Sequence, residues 1–164
     1  MSAARTSAGL LLYRVRGGVV EVLIGHMGGP FWARKDARAW SIPKGELAPD
    51  EDPHAAAVRE FTEEIGQPPP PGPGPDLALG TVRQRSGKSV LAWARAGDCD
   101  VTQLSSNTFD LEWPPHSGRV QAFPELDRAH WCPLPQAREL VVAGQVELLD
   151  RLAAALAGPG APVV

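Results

Sequence analysis

The 164-residue chain is 43% hydrophobic and 21% charged, enough apolar material for one core of ordinary size, so a single globular domain over residues 1–164 is expected. A formal net charge of −3 argues against a general nucleic-acid binder, whose phosphate contacts call for an excess of Lys and Arg. With no charged-then-apolar N-terminal leader and no apolar run approaching the ~18 residues of a membrane span, a soluble cytoplasmic protein without a membrane partner is expected.

Residues 7–15 and 19–25 read as two strands joined through Gly17-Gly18 in a tight hairpin. Residues 26–38, with Gly28-Gly29-Pro30, read as a loop, and residues 39–42 as a short strand stopped by Pro43. Asp52-Pro53 is a helix start, since Asp caps free backbone N–H groups and proline at the first helical position sacrifices no hydrogen bond. The helix is expected over residues 53–65, with Gly66 as its stop. Residues 67–76 carry six prolines and two glycines and read as a stiff surface connector within the domain. Strands follow at residues 77–83, 89–95, 120–123 and 130–131. Two helical runs close the chain, at 135–143 and 146–157, parted by Gly144. Strands before, between and after helices indicate an α/β (α+β) fold, a mixed sheet covered by helices. Cys99 and Cys132 are too few for a disulfide framework or a Cys-x-x-Cys metal site and read as reduced, inert thiols.

The 53–65 helix gathers Glu60, Glu63 and Glu64 within five residues. At helical spacing they share an arc of about 100°, apart from Val58, Phe61 and Ile65, so an acidic outer stripe opposite an apolar face is expected. Three like charges at i, i+3 and i+4, in the half of the helix where the macrodipole disfavours anions, require compensation. Arg59 supplies part of it. A divalent cation with hard oxygen ligands supplies the rest, and Mg²⁺ or Mn²⁺ suits such a site.

The stretch from Gly45 to Gln67 resembles the Nudix box: Gly, five residues, Glu, seven residues, then Arg-Glu-apolar-x-Glu-Glu-x-Gly-apolar. Gly45, Glu51, Arg59, Glu60, Phe61, Glu63, Glu64 and Gly66 fill the pattern, and only Gln67 departs from it. Seven fixed identities at typical residue frequencies match by chance roughly once in 10⁸ starts. The resemblance implies a Nudix α/β/α sandwich with the box (45–67) as loop, helix and loop. It further implies that Glu60, Glu63 and Glu64 bind Mg²⁺ (or Mn²⁺), that one of them or another carboxylate takes a proton from the attacking water, and that Glu51 and Arg59 brace the loop.

A metal ligand from outside the box is also implied, with Glu112 and Glu125 as candidates. Arg83, Arg85 and Lys88 in the 83–88 segment can meet phosphate oxygens. Lys44, directly before the box, resembles the residue at that place in members that cut dinucleoside polyphosphates or other highly phosphorylated compounds. Trp32, Phe31 and Trp113 fall in expected loops, where an aromatic ring can stack on a base, whereas Trp40, Trp93 and Trp131 read as core. His54 lies on the apolar side of the helix and reads as packed. The whole chain resembles a bacterial group of Nudix members regarded as nucleotide pyrophosphohydrolases. The expected function is therefore metal-dependent cleavage of a diphosphate linkage in a nucleoside triphosphate or dinucleoside polyphosphate. ADP-ribose, a nucleotide sugar or an RNA 5′ end are alternative substrates, and a non-catalytic nucleotide sensor is the alternative outside enzymes. A nucleotide or another diphosphate-containing small molecule is the expected partner.

Overall fold

The computed structural model describes residues 5–157. In chain order the strands are β1 (Thr6–Arg16), β2 (Val19–Met27), β3 (Trp40–Ser41), β4 (Lys44–Glu46), β5 (Leu77–Arg83), β6 (Ser89–Ala96), β7 (Thr108–Glu112), β8 (Val120–Pro124) and β9 (Leu126–Pro133). The helices are α1 (Pro53–Ile65), α2 (Leu134–Leu140) and α3 (Val146–Ala157), with short 3₁₀ turns at Val101–Gln103 and Ala143–Gln145. Strand order β3-β2-β1-β6-β5, with β4 added to β1 and β9 to β2, makes a seven-stranded sheet in which β1 and β6 run parallel. A separate ribbon pairs β7 with β8.

The β1–β2 hairpin turns on Gly17 and Gly18, whose φ angles of 57° and 80° suit glycine. From Ser7 to Leu12 every residue of β1 is buried, because both faces of the strand are covered, and an unbroken apolar run is what such a strand requires. Leu11 joins Val22 and Ile24 in the core under α2 and α3, where Leu148, Leu149 and Leu152 close it. Leu10 and Leu12 point the other way and meet Leu23, Ala56, Ala57, Phe61 and Ile65 under α1. The architecture is the expected α/β/α arrangement around a mixed sheet.

α1 begins and ends as its sequence dictates. Asp52 accepts from the Ala55 N–H at 2.9 Å, Pro53 opens the helix, and Gly66 closes it in the left-handed region at φ 87°. β4 was not anticipated. It forms because β1 pairs with β2 only over residues 13–16, which leaves the first half of that edge open; Ser7, Ala8 and Gly9 pair there with Glu46, Gly45 and Lys44. Pro43, whose carbonyl accepts from the Leu10 N–H at 3.2 Å, parts β3, paired with β2, from β4, paired with β1. β7 likewise replaces the loop expected before Trp113; it pairs with the next strand, β8, across residues 113–119 as a separate antiparallel ribbon.

At the C-terminus α2 stops at Leu140, earlier than expected, because Val141 is extended and pairs as an isolated bridge with Trp40. The 67–76 connector is pinned rather than free-standing: Arg95 donates to Pro70 O at 3.2 Å and bidentately to Asp76 at 2.8 Å. His54 also binds Asp76 at 2.7 Å and stacks on Trp93 at 4.7 Å, so it packs against an aromatic although its side chain is 42% exposed. Trp40 is core, but Trp93 and Trp131 are only partly buried, Trp131 lying under the Arg14 guanidinium. Cys132 is buried and Cys99 half-buried, and burial pushes both thiols up. Among the described residues no helix is long and apolar enough to cross a membrane.

Candidate active site

The acidic stripe of α1 does not face outward. Glu60 is 8% exposed and Glu64 7%, leaving Glu63 as the half-open member of the three. The reason is β4: α1 packs on β1 and also across β4, so its buried arc is wider than its apolar arc and takes in two carboxylates. The contact depends on Gly45. A Cβ built there would lie 2.0 Å from Glu60 Cδ and 2.0 Å from Glu60 Oε2, so only glycine lets the carboxylate rest on the strand. One residue earlier, the Lys44 backbone N–H donates to Glu64 Oε1 at 3.4 Å, while Glu64 Oε2 is buried with no partner among the described residues.

Arg59 ties the acidic groups together. Its Nε and Nη2 form a fork on Glu51, at 2.7 and 2.9 Å. Its Nη1 donates to Glu60 at 2.9 Å and to both oxygens of Glu63 at 3.0 and 3.1 Å. Glu51 also accepts from the Ala48 N–H at 3.0 Å, closing the loop ahead of the helix. The Arg59 bonds, reinforced by that backbone N–H, hold the Glu51 carboxyl down at about 2. Lysine has neither the fork nor the reach for three carboxylates. Arg59→Lys is therefore expected to lower stability by about 1–2 kcal/mol, below the value for fully buried charged bonds because the guanidinium is partly exposed. Urea unfolding would measure it, and an unchanged midpoint would remove Arg59 as the brace.

The cations near these carboxylates are Lys44, on the strand β4 that α1 packs across, and Lys88, at the β5–β6 turn. Burial is the main cause lowering the Lys44 pKa, with Lys88 reinforcing it and Glu64, Glu125 and Glu60 opposing. Burial also raises Glu60 and Glu125 and pushes Glu64 up to about 8. Both lysines counter that rise at Glu125, so the three side chains share one electrostatic neighbourhood. Backbone bonds bring Glu125 there. Asn107 donates to Glu63 O at the end of α1 and accepts from the Glu125 N–H, each at 2.9 Å, and Gly28 donates to Glu125 O at 3.0 Å. Lys88 also lies 3.6 Å from Glu46.

The remaining candidates are placed elsewhere. Glu112 ends β7 in the separate ribbon and is exposed, as are Arg83 and Arg85 at the β5–β6 turn. Trp32 packs against the core under α2 and α3, with Lys35 over its ring at 5.4 Å. The open aromatic is its neighbour Phe31, 58% exposed, which meets Trp113 edge-on at 5.4 Å. Sequence reasoning passed over Asn107, which joins α1 to Glu125. It also passed over Gln145, which is fully buried between β3 and the β5–β6 turn. A lone Gln in an unpatterned segment carries no local signal of such a role.

Chemically, the cluster offers hard oxygen ligands, and Glu64 Oε2 is buried with nothing among the described residues to bind it, which fits a divalent cation. Among the described residues no three Asp, Glu, His or Cys side chains converge as a finished metal cage. Arg59 Nη1 is the positive group between Glu60 and Glu63.

The NUDIX domain family model matches residues 3–152, and divalent-metal use is general among Nudix hydrolases. A C. elegans Ap4A hydrolase structure, a binary complex, is similar at 26% identity and a TM-score of 0.63, covering 95% of this chain and 100% of that one. The NUDIX domain of Shewanella oneidensis NrtR, complexed with ADP ribose, is similar in fold at 15% identity and a TM-score of 0.61, covering 93% of this chain and 88% of that one. An RNA pyrophosphohydrolase of Methylococcus capsulatus is 44% identical over 55 residues, 33% of this chain and 28% of that protein. An RNA pyrophosphohydrolase of Hahella chejuensis is 40% identical over 58 residues, 35% of each chain. The match thus spans about a third of these two relatives' length.

Proposed function

Because this chain belongs to the Nudix family of hydrolases, we propose that it is a divalent-metal-dependent pyrophosphohydrolase that cleaves a diphosphate linkage in a dinucleoside polyphosphate or nucleoside triphosphate. The observation that carries this is the buried pairing of Glu60 and Glu64 with the Lys44-Gly45 strand, which leaves Glu64 Oε2 without a partner among the described residues and beside the charge of Lys44. Glu60, Glu63 and Glu64 would hold the cation, Mg²⁺ or Mn²⁺, and Glu125 rather than the distant Glu112 would be the ligand from outside the box. When bound, such an ion offsets phosphate charge and lowers the pKa of a coordinated water.

The chain's own groups do the rest. Lys44 and Lys88 present positive charge to phosphate oxygens across from the carboxylates. Glu51 and Arg59 hold the loop and helix in register. Glu60, Glu64 and Glu125, whose carboxyls burial makes better proton acceptors, are the groups suited to take the proton from the attacking water. Phe31 and Trp113, rather than Trp32, offer a ring for a nucleobase, Phe31 lying three residues along the chain from Gly28, which donates to Glu125 O.

The full-length structural likeness to an Ap4A hydrolase favours the dinucleoside substrate. The RNA 5′ end is the second reading, favoured by the local identity to two RNA pyrophosphohydrolases. Product release with and without Mg²⁺ separates them on a panel of diadenosine tetraphosphate, nucleoside triphosphates, ADP-ribose and 5′-triphosphate RNA. Metal-dependent cleavage of the dinucleoside, abolished in Glu63→Gln, is the expected result. Silence across the panel from folded, metal-binding protein would favour a nucleotide sensor instead.

A further inference from the structure

We propose that Gln145 is a positioning residue that sets the distance between the two phosphate-facing lysines. Its side chain is fully buried, in the 3₁₀ turn between α2 and α3, 103 residues from Ile42 and 61 from Gln84, the groups it joins. Oε1 accepts from the Ile42 N–H at 3.0 Å, and Nε2 donates to Ser41 Oγ at 3.0 Å and to Gln84 Oε1 at 3.1 Å. Both amide hydrogens are engaged, so the group is held in one orientation.

Each arm leads to a lysine. Ile42 stands two residues before Lys44, with only Pro43 between them. Gln84 begins the β5–β6 turn, where its N–H donates to Lys88 O at 2.8 Å and its carbonyl accepts from Gly87 at 2.9 Å. The turn is also seated on Gly144, where a Cβ would lie 2.9 Å from Gln84 Cα. One buried amide therefore clamps the strand bearing Lys44 to the turn bearing Lys88. Two ammonium groups repel each other, and Lys88 is among the causes that lower Lys44; a short surface turn would relieve that repulsion by moving away. The clamp keeps both charges on the substrate side. An apolar core residue at 145 would fill the space equally well, so the amide is explained by the linkage it makes and not by packing.

This role presupposes the phosphohydrolase function proposed above. The test uses the full chain and two variants: Gln145→Met, which keeps bulk and removes both arms, and Gln84→Ala, which cuts only the turn's arm at the surface of the core and protects the test should the first fail to fold. With diadenosine tetraphosphate, each variant is expected to raise KM about fivefold, the factor corresponding to one net hydrogen bond, with kcat within about twofold. Adding Gln84→Ala to Lys88→Ala is expected to raise KM no further than Lys88→Ala alone. Full multiplication of the two effects, a loss confined to kcat, or wild-type kinetics in Gln84→Ala would overturn the proposal. If the wild-type chain hydrolyses none of the panel, the function has failed and the clamp is read separately, by calorimetric titration with inorganic tripolyphosphate. The same non-additivity in Kd supports it, and additivity or no binding by the wild type rejects it.

Discussion

Gly45→Ala is expected to reduce kcat about 100-fold and to lower stability by about 1–3 kcal/mol. The added methyl carbon would sit 2.0 Å from Glu60 Cδ, far inside van der Waals contact, so either the carboxylate or the strand must move by more than an ångström. Glu60 has little room to yield. It is buried, and Arg59 Nη1 holds its Oε1 at 2.9 Å. If the strand moves instead, Lys44 moves with it and its N–H leaves Glu64 Oε1. Either response misplaces two groups of the proposed metal and phosphate site, and misplacement of that size is sufficient for the expected loss. Turnover and denaturant midpoint measured on the same preparation check both parts. Full activity in the Ala variant would mean that the approach of Glu60 to the strand is dispensable for function.

Glu64→Gln should separate activity from stability in the opposite sense. Turnover is expected to fall about 100-fold or more, since the variant removes a buried carboxyl placed to bind the cation or accept a proton. Stability should behave differently, and its sign follows from the direction of the shift. Burial raises the Glu64 carboxyl to about 8, above its ordinary value of 4.5. Between those values the folded state holds a proton that the unfolded chain has released, so stability falls as pH rises from about 4.5 towards 8. The wild-type melting temperature should therefore decline over that window, and Glu64→Gln, with nothing to titrate at this position, should decline less. Near pH 8 the variant should be at least as stable as the wild type, as happens when a residue kept for function is costly to the fold. Mg²⁺ should raise the melting temperature of the wild type more than that of the variant. Parallel melting curves against pH for the two proteins would show that Glu64 does not titrate in the expected way.

Much of this molecule was legible from local chemistry. The Asp52-Pro53 start and Gly66 stop bound α1 in the structure as they do in the sequence, because a helix end is decided by which nearby groups satisfy the last backbone N–H and carbonyl groups. The Gly17-Gly18 hairpin and the bounds of β5 and α3 are similarly local. The spacing of Gly45, Glu51, Arg59, Glu60, Glu63 and Glu64 identified the family, because these residues lie on one loop and helix whose geometry is nearly independent of the rest of the fold.

What tertiary structure decided was which of those groups are buried and what faces them. A helical wheel counts polarity and so turns Glu60 and Glu64 to solvent; the open edge of β1, filled by β4, turns them inward, Glu60 against Gly45 and Glu64 against the Lys44 N–H. Glu125 and Glu112 look alike in sequence, and the Asn107 bonds to Glu63 and Glu125 distinguish them. Trp32 and Phe31 are adjacent, yet one packs on the core and the other is open. Gln145 reaches the site from more than 100 residues beyond Ile42, through a separation of 103. Each of these outcomes depends on a contact between segments distant in the chain, and a pairing that only the folded sheet creates leaves no periodicity or spacing in the sequence to announce it.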